Sequence, residues 1–338
     1  MKHKLSTLPE QQHIQLNFNE LMPKIIAKKS NILINNSLSK TNFLQQLKST
    51  TGKQSYKRFT ASPLRYPGGK SLAVGLIVEL LPDNLNKLVS PFFGGGSLEI
   101  ACSSRLGIEV VGYDIFDILV NFWNIQINKK EKLYQGLKEI SPTKENYHDI
   151  KNQLKKHWKN EIVLDPITLA VYYFFNHNLS YGPGFLGWMS SIYQDEKKYQ
   201  SAINKVANFD GQKLSVKHAN FENIMSLHKD DFLYCDPPYF LGGDSKMFKG
   251  IYPQRNFPIH HNNFNHELLN KFLKQHKNGF VLSYNDCKEI REMYKNFKII
   301  DVSWQYTMGQ GETRIGKNRL EKDSNHIKKS HEILITNI

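Results

Sequence analysis

The run Asp236-Pro237-Pro238-Tyr239 brings a carboxylate, a stiffened backbone and an aromatic ring together within four residues. Two consecutive prolines cannot donate hydrogen bonds to a sheet and restrict the chain to a turn. The Asp236 carboxylate and the Pro237 carbonyl would be paired hydrogen-bond acceptors suited to an NH2 group, and Tyr239 would offer a face to a flat base. The alternative is an ordinary turn with an exposed acid, so the rest of the sequence has to decide between the two.

The element that must position this run is a short buried strand. The apolar residues Phe232-Leu233-Tyr234-Cys235 precede it and read as such a strand. In open α/β sheets, ligands bind at the carboxyl ends of the strands. We therefore expect Asp236 to lie at the edge of a sheet where a ligand could reach it.

A second pattern of strand, glycine turn and helix covers residues 87–106 and contains Phe92, Gly94 and Gly96. Glycines allow close approach of a ligand to the backbone, and the following helix begins with unpaired N–H groups. Asp114 follows Gly94 by twenty residues, at the end of another strand-like run. An acid in that position is placed to bind ribose hydroxyls, so the pattern predicts an adenosine-bearing cofactor.

Two further segments could contact the same ligand. Residues 64–71 end in Gly-Gly-Lys-Ser, but a phosphate-binding loop needs a glycine where Leu64 stands, which excludes that motif. The segment instead predicts a turn from which Tyr66 and Lys70 face a small ligand. After a strand at residues 214–218, Asn220 and Phe221 could hold an adenine ring, or Asn220 could simply cap the next helix.

The composition indicates a globular protein, and its basic charge is typical either of a polyanionic partner or of an ordinary Lys-rich protein. The 338 residues carry a formal net charge of +14, and nucleic acid is the first candidate for such an excess. Residues 1–60 contribute strongly, with ten Lys and Arg against two acids. The three cysteines form no Cys-x-x-Cys pair, which argues against a zinc site, and no apolar run approaches membrane-spanning length. We expect a cytoplasmic, monomeric protein without a metal.

About seven strand-like runs alternate with helical patterns, which indicates an α/β fold with a doubly wound sheet and an antiparallel end. We expect a basic extension over residues 1–60, a main domain from 61–120 and 213–338, and an insertion over 121–212. Within the insertion, residues 176–185 combine amides, glycines and aromatics and could run along DNA, or form an ordinary hydrated loop.

In their order along the chain, these motifs resemble the Dam family (D12 class) of adenine-specific DNA methyltransferases, over roughly residues 60–338. The matching segments are 64–70 (Leu-Arg-Tyr-Pro-Gly-Gly-Lys), 91–97 (Pro-Phe-Phe-Gly-Gly-Gly-Ser), 113–115 (Tyr-Asp-Ile), 236–239 (Asp-Pro-Pro-Tyr), 282–285 and 331–337. The resemblance implies a Rossmann-like methyltransferase sheet in which residues 121–212 form a mainly helical target-recognition region. It also implies S-adenosylmethionine as methyl donor and N6 of adenine in double-stranded DNA as acceptor.

The resemblance implies catalysis by Asp236, Pro237, Pro238 and Tyr239. It implies cofactor contacts at Tyr66, Lys70, Phe92, Gly94, Gly96, Asp114 and Asp236, together with Asn220 and Phe221. We expect DNA contacts at Arg65, Asn176, Asn178, Tyr181 and Arg314. The chain departs from the family pattern at Ser90 and Asn220, where an acid is more usual.

The expected reaction requires the adenine to leave the base stack and enter a pocket, where Tyr239 would stack on it. No covalent intermediate is needed, so Cys235 is expected to be dispensable for the chemistry. Two alternatives to this function remain open. One is an N4-cytosine or RNA methyltransferase, which uses a similar four-residue run, and the other is a DNA-binding module without catalytic activity. A restriction endonuclease, if present, is expected to be a separate protein.

Overall fold

Seven strands form one mixed sheet in this computed structural model, which describes residues 38–50, 55–182, 184–240, 264–302 and 332–338. The strands are β1 (Lys87–Ser90), β2 (Glu109–Asp114), β3 (Leu214–His218), β4 (Phe232–Cys235), β5 (Phe280–Asn285), β6 (Lys298–Asp301) and β7 (Glu332–Thr336). Their order in the sheet is β3-β2-β1-β4-β5-β7-β6. Strands β1 to β5 pair in parallel, whereas β7 runs antiparallel to both β5 and β6. The predicted α/β sheet with an antiparallel end is confirmed.

Eleven α-helices lie among the described residues. They are α1 (Lys40–Leu47), α2 (Val74–Glu79), α3 (Ser97–Ser104), α4 (Asp117–Asn128), α5 (Lys130–Lys138), α6 (Lys144–Trp158), α7 (Pro166–Leu179), α8 (Glu196–Ala207), α9 (Phe221–Met225), α10 (His266–Gln275) and α11 (Lys288–Met293). A short 3-10 helix, Ser191–Gln194, lies between α7 and α8.

Both faces of the sheet are covered by helices, because successive strand residues point to opposite sides. Leu88 and Phe232 belong to a core cluster that also takes in α1–α8. The adjacent residues Val89 and Leu233 belong to a second cluster with α9–α11. This arrangement explains why the strands read as continuous apolar runs rather than as alternating ones, and it is the doubly wound architecture predicted from the sequence.

Five helices, α4–α8, lie between β2 and β3. The prediction of a loop over residues 176–185 is wrong at its start. Residues 176–179 continue helix α7 instead. Asp165 caps the start of α7 through bonds from the amides of Ile167 and Thr168. The polar residues near its end remain helical because most of their hydrogen-bonding atoms find partners inside the protein. The boundaries of the predicted insertion stay a prediction.

The described part of the N-terminal region joins the main core. Phe43 in α1 is only 2% exposed, and its ring centre lies 5.9 Å from that of Phe59. Most of the predicted extension, 1–60, lies outside the described residues, and so does Arg314. Within the described ranges, no helix is both long enough and apolar enough to cross a membrane.

Candidate active site

The carboxyl ends of β1, β2 and β4 meet at one edge of the sheet, and the predicted site residues follow them directly. In the register of the parallel pair, Val89 of β1 lies beside Leu233 of β4. The segment that begins at Phe92 therefore leaves the sheet beside the segment that begins at Asp236. On the other side of β1, Ser90 pairs with Gly112, two residues before Asp114. The structure thus brings together the two motifs that the sequence places more than 120 residues apart.

An ion pair joins Asp236 to Lys70 at this edge. Lys70 Nζ lies 2.8 Å from both Oδ1 and Oδ2 of Asp236, and it also donates to the carbonyl of Gly68 at 2.9 Å. Lys70 is 4% exposed and the Asp236 side chain 22%. Burial raises the pKa of the Asp236 carboxyl, and the Lys70 ammonium opposes that shift. Lys70 therefore helps to keep a partly buried carboxylate ionised, and an ionised carboxylate is the stronger hydrogen-bond acceptor.

A second buried carboxyl, Glu99 of α3, was missed by the sequence reasoning. It is 2% exposed and accepts a hydrogen bond of 2.6 Å from Ser90 Oγ, which is fully buried. Burial raises the pKa of Glu99 to about 7, while the Ser90 bond and the Lys70 ammonium oppose the shift. One signal was available in the sequence, because Glu99 interrupts the apolar residues Leu98, Ile100 and Ala101 on a short helix.

Tyr239 is buried in this arrangement, and its predicted stacking on a base stays a prediction. It is 3% exposed, and its ring stacks on Tyr284 with centres 6.1 Å apart. Lys70 Nζ lies 5.0 Å from the centre of the Tyr239 ring. The ring therefore forms part of the wall behind the ion pair, because packing on β5 and the cation already occupy its surroundings.

Asn285, at the end of β5, holds the backbone that follows the four-residue run Asp236–Tyr239, which is called the tetrad below. The Phe240 amide donates to Asn285 Oδ1 and Asn285 Nδ2 donates to the Phe240 carbonyl, both at 2.9 Å. This reciprocal pair fixes the direction in which the chain leaves the prolines. Pro237 is buried and Pro238 is half-buried.

The glycine turn after β1 is shaped for close contact with a ligand. Gly94 and Gly96 have φ values of +48° and +64°, a region that side chains rarely adopt. The Tyr66 ring lies against this turn, since a Cβ on Gly94 would come within 2.9 Å of Tyr66 Cε1. Asp114 Oδ2 accepts from the Gly94 amide and Oδ1 from the Phe116 amide, both at 2.9 Å. A carboxylate has further lone pairs, so Asp114 can still accept from ribose hydroxyls.

Three phenylalanine rings form an apolar cluster next to the start of the glycine turn. Phe92 is half-buried, and its ring centre lies 5.5 Å from that of Phe221 and 5.6 Å from that of Phe264. Asn220 accepts a hydrogen bond from the Glu222 amide at 3.3 Å and caps α9. The capping alternative is therefore the one that the geometry displays, although a second lone pair on the Asn220 oxygen can still accept.

The residues predicted to contact DNA divide into two groups. Asn176 and Asn178 are at most 1% exposed, so as placed their side chains face the interior and not a duplex. Asn178 Oδ1 accepts from the Arg65 amide at 2.8 Å, and Asn176 Oδ1 accepts from the Leu186 amide at 2.7 Å. These amides stabilise the end of α7 because both satisfy backbone groups of neighbouring loops. Tyr181, in contrast, is 55% exposed.

Arg65 connects the candidate site to the loop that follows α7. Its guanidinium donates to the carbonyls of Asn178 and Ser180 at 2.7 and 3.2 Å and lies 5.2 Å from the ring centre of Tyr193. Trp188, which the sequence reasoning did not select, is 63% exposed, with Lys151 Nζ 4.2 Å from its ring centre. Exposed aromatics beside cations are typical of nucleic-acid surfaces.

The chain matches one protein family and is similar to two known methyltransferases. A family model described as D12 class N6 adenine-specific DNA methyltransferase matches residues 66–308. The type II methyltransferase M.FokI of Planomicrobium okeanokoites is 25% identical over 241 residues, which cover 66% of this chain and 35% of that protein. The modification methylase StsI of Streptococcus sanguinis is 26% identical over 302 residues, which cover 84% of this chain and 44% of that protein. The matched part of the chain thus corresponds to less than half the length of each relative.

Proposed function

The chain belongs to the D12 class of N6 adenine-specific DNA methyltransferases, and we propose that it methylates N6 of an adenine at a specific site in double-stranded DNA. The observation that carries this proposal is the position of Asp236. It follows the end of β4 beside the glycine turn, and its carboxylate is both partly buried and paired with Lys70. Such a carboxylate is an acceptor for an amino group rather than a surface charge.

S-adenosylmethionine is the methyl donor that membership of this family implies, and when bound it would supply a methyl group on a positively charged sulfur. The residues present fit an adenosine-bearing molecule. Asp114 can accept from ribose hydroxyls, Phe92 and Phe221 offer apolar surface, and the positive φ values of Gly94 and Gly96 allow the tight turn between them. Among the described residues, no cluster of three His, Cys, Asp or Glu is placed to hold a metal ion.

In the proposed mechanism, the adenine leaves the helix and its amino group enters the space beside Asp236. The Asp236 carboxylate and the Pro237 carbonyl accept its two N–H bonds. This contact draws the nitrogen away from planarity and makes its lone pair available to accept a methyl group, and the N–H proton that the methylated nitrogen must lose would pass to the Asp236 carboxylate and then to solvent. Lys70 orients the carboxylate, while the two prolines and Asn285 keep the accepting backbone in place. Rate enhancement then comes from positioning and from preorganised charge.

Tyr239 contributes to this site as part of its wall, next to Lys70, and the surface that would face the duplex lies around Arg65 and Tyr181. Exposed Trp188 belongs to the same loop region between α7 and α8. Residues 121–212 are accordingly proposed as the target-recognition region. The two relatives are a type II methyltransferase and a modification methylase, which supports a separate restriction endonuclease as the functional partner.

The test is methyl transfer from tritiated S-adenosylmethionine to double-stranded DNA, followed by digestion to nucleosides and chromatography. We expect the label in N6-methyldeoxyadenosine. Asp236→Ala should abolish the transfer. The matched control is Asp231→Ala, because Asp231 also pairs with a lysine, Lys87 at 3.0 Å, but at the opposite end of β4. Label in cytosine, label in RNA but not in DNA when both are offered, or turnover by the Asp236 variant at the rate of the control would each contradict the proposal.

A further inference from the structure

The buried pair of Ser90 and Glu99 has no part in the mechanism above, yet its two residues flank the glycine turn of the site. Ser90 is the last residue of β1, and Glu99 lies in the first turn of α3, the helix that follows the glycine turn. Their hydrogen bond is 2.6 Å long and both residues are at most 2% exposed. A carboxyl group is costly to bury, so its presence here calls for a compensating interaction.

Among the described residues, the charged side chains that act on Glu99 are one lysine and one aspartate. Lys70 and Asp236 both act on it electrostatically, Lys70 favouring its ionised form and Asp236 opposing it. Tyr234 of β4 and Cys102 of α3 also face this group, and burial raises the pKa of the Tyr234 hydroxyl and of the Cys102 thiol, which leaves both neutral near pH 7. Because Lys70 and Asp236 already neutralise one another, ionised Glu99 would leave the cluster with an excess negative charge.

The turn that carries Lys70 packs on the start of the same helix. A Cβ on Gly69 would come 3.7 Å from Ser97 Oγ, at the first residue of α3. Two routes therefore connect Glu99 with the ion pair. Helix α3 packs against the turn that carries Lys70, and β1, through Ser90, lies beside β4, which Asp236 follows. Since Asp236 acts electrostatically on Glu99, a positive charge that binds beside Asp236 would act on Glu99 as well.

We infer that Glu99 is a positioning residue for the methyl donor, which gives up its proton when a sulfonium binds beside Asp236 and so supplies the counter-charge that the ion pair cannot. This inference rests on the proposed function. The step is balanced: the carboxyl O–H bond breaks, the proton passes to the buffer, and the carboxylate remains hydrogen-bonded to Ser90.

The pKa of Glu99, raised by burial to about 7, makes this step measurable near neutral pH. A bound cation stabilises the ionised form and therefore lowers the pKa of Glu99 in the complex. By linkage, donor binding then strengthens as the pH rises through 7. If the cation lowers that pKa by about one unit, affinity rises up to about tenfold between pH 5.5 and pH 8.5.

The experiment is titration calorimetry at pH 7 in buffers of different ionisation enthalpy, which counts the protons released on binding. The two ligands are S-adenosylmethionine, which carries the sulfonium, and S-adenosylhomocysteine, whose thioether is neutral. We expect a fraction of a proton to be released with the first ligand and distinctly less with the second. Glu99→Gln should remove the difference, while Glu109→Gln, which changes an exposed acid at the other end of the sheet, should keep it.

Equal proton release with both ligands, or an unchanged difference in Glu99→Gln, would overturn the inference while leaving the proposed function intact. If neither ligand gives binding heat in any of the buffers, both this inference and the proposed function would be overturned. If Glu99→Gln does not fold, Ser90→Ala decides the question, because loss of the Ser90 hydrogen bond raises the pKa of Glu99. The pH of greatest proton release should then move upward, and an unmoved maximum would contradict the role of Glu99.

Discussion

The ammonium of Lys70 lies 2.8 Å from both carboxylate oxygens of Asp236, across 166 residues of sequence. This contact closes the site by tying the turn before α2 to the tetrad after β4. It also assigns Lys70 two tasks, because the same cation orients the carboxylate and lowers its pKa against the effect of burial.

Lys70→Met should therefore shift the pH dependence of methyl transfer. Without the cation, the pKa of Asp236 rises further, so a higher pH is needed to ionise the carboxylate, and the acidic limb of the rate profile moves toward alkaline pH. At pH 7 we expect kcat to fall by at least about tenfold, with partial recovery at higher pH. The measurement is kcat from pH 5.5 to 9.5. Lys87→Met, which removes a lysine from a half-exposed pair with Asp231, should leave the profile in place.

Gly95→Ala should damage the glycine turn. A Cβ at that position would come within 2.5 Å of Tyr66 Cβ, so the Tyr66 backbone and the turn must move apart. We expect a loss of about 1–3 kcal/mol in the free energy of unfolding and weaker binding of S-adenosylmethionine. Urea denaturation and calorimetry measure the two effects. A Cβ on Gly182 meets nothing within 4 Å, so Gly182→Ala should leave stability unchanged; equal losses in the two variants would refute the steric argument.

Cys235→Ala should retain activity although it changes the residue next to Asp236. Cys235 is fully buried in the second core cluster, and burial raises the pKa of its thiol, so no thiolate is available near pH 7. We expect kcat within a factor of about two of the parent enzyme, because direct displacement needs no enzyme nucleophile. A loss of stability of about 1 kcal/mol would reflect the cavity left by the sulfur. Loss of turnover in a folded Cys235→Ala protein would instead indicate covalent catalysis.

His177 should make the protein less stable in acid. Its ring is 3% exposed between Tyr66 and Tyr173, and Nε2 lies 2.9 Å from the carbonyl of Arg65. Burial lowers its pKa to about 4, whereas the unfolded chain takes up the proton near pH 6.5. The unfolded state therefore binds more protons between these values, and stability falls as the pH decreases through that window.

The expected contribution of His177 is a loss of about 2 kcal/mol between pH 7 and pH 5. His177→Gln removes the titrating group, so its free energy of unfolding should depend less on pH over this range. His148→Gln, at an exposed position on α6, serves as the control and should follow the parent protein. Urea denaturation at several pH values gives the measurement, and parallel curves for the parent and His177→Gln would rule out this role.

Much of the site could be predicted because its motifs are contiguous. Asp236–Tyr239 directly follows an apolar strand, and Gly94 and Gly96 directly follow another, so a strand and its turn are written in neighbouring residues. Asp114 was predicted in the same way to bind ribose hydroxyls, which stays a prediction, and the structure shows that its carboxylate accepts from the Gly94 amide. The parallel order of β1 to β5 followed from the alternation of strands and helices, since parallel strands require crossover connections.

Burial was the property that the sequence reasoning judged least well. In the sequence, Asn176 and Asn178 are typical of an exposed polar loop. In the structure they are buried, and their side-chain oxygens accept hydrogen bonds from backbone amides of neighbouring loops. Tyr239 resembles an open stacking surface, but Tyr284 and Lys70 lie against its ring. Local sequence specifies the chemical type of a side chain, whereas its exposure depends on what other segments pack over it.

By itself, the sequence determined the fold class, the order of the strand-end motifs and the kinds of chemical group available, because each of these depends on residues close together in the chain. Only the tertiary structure decided that Lys70 pairs with Asp236 and that Ser90 and Glu99 form a buried pair that flanks the glycine turn. Such contacts depend on strand order and helix packing, and the strength of a charge interaction depends on its distance and on how much water is excluded around it. Neither quantity is encoded in any one stretch of residues.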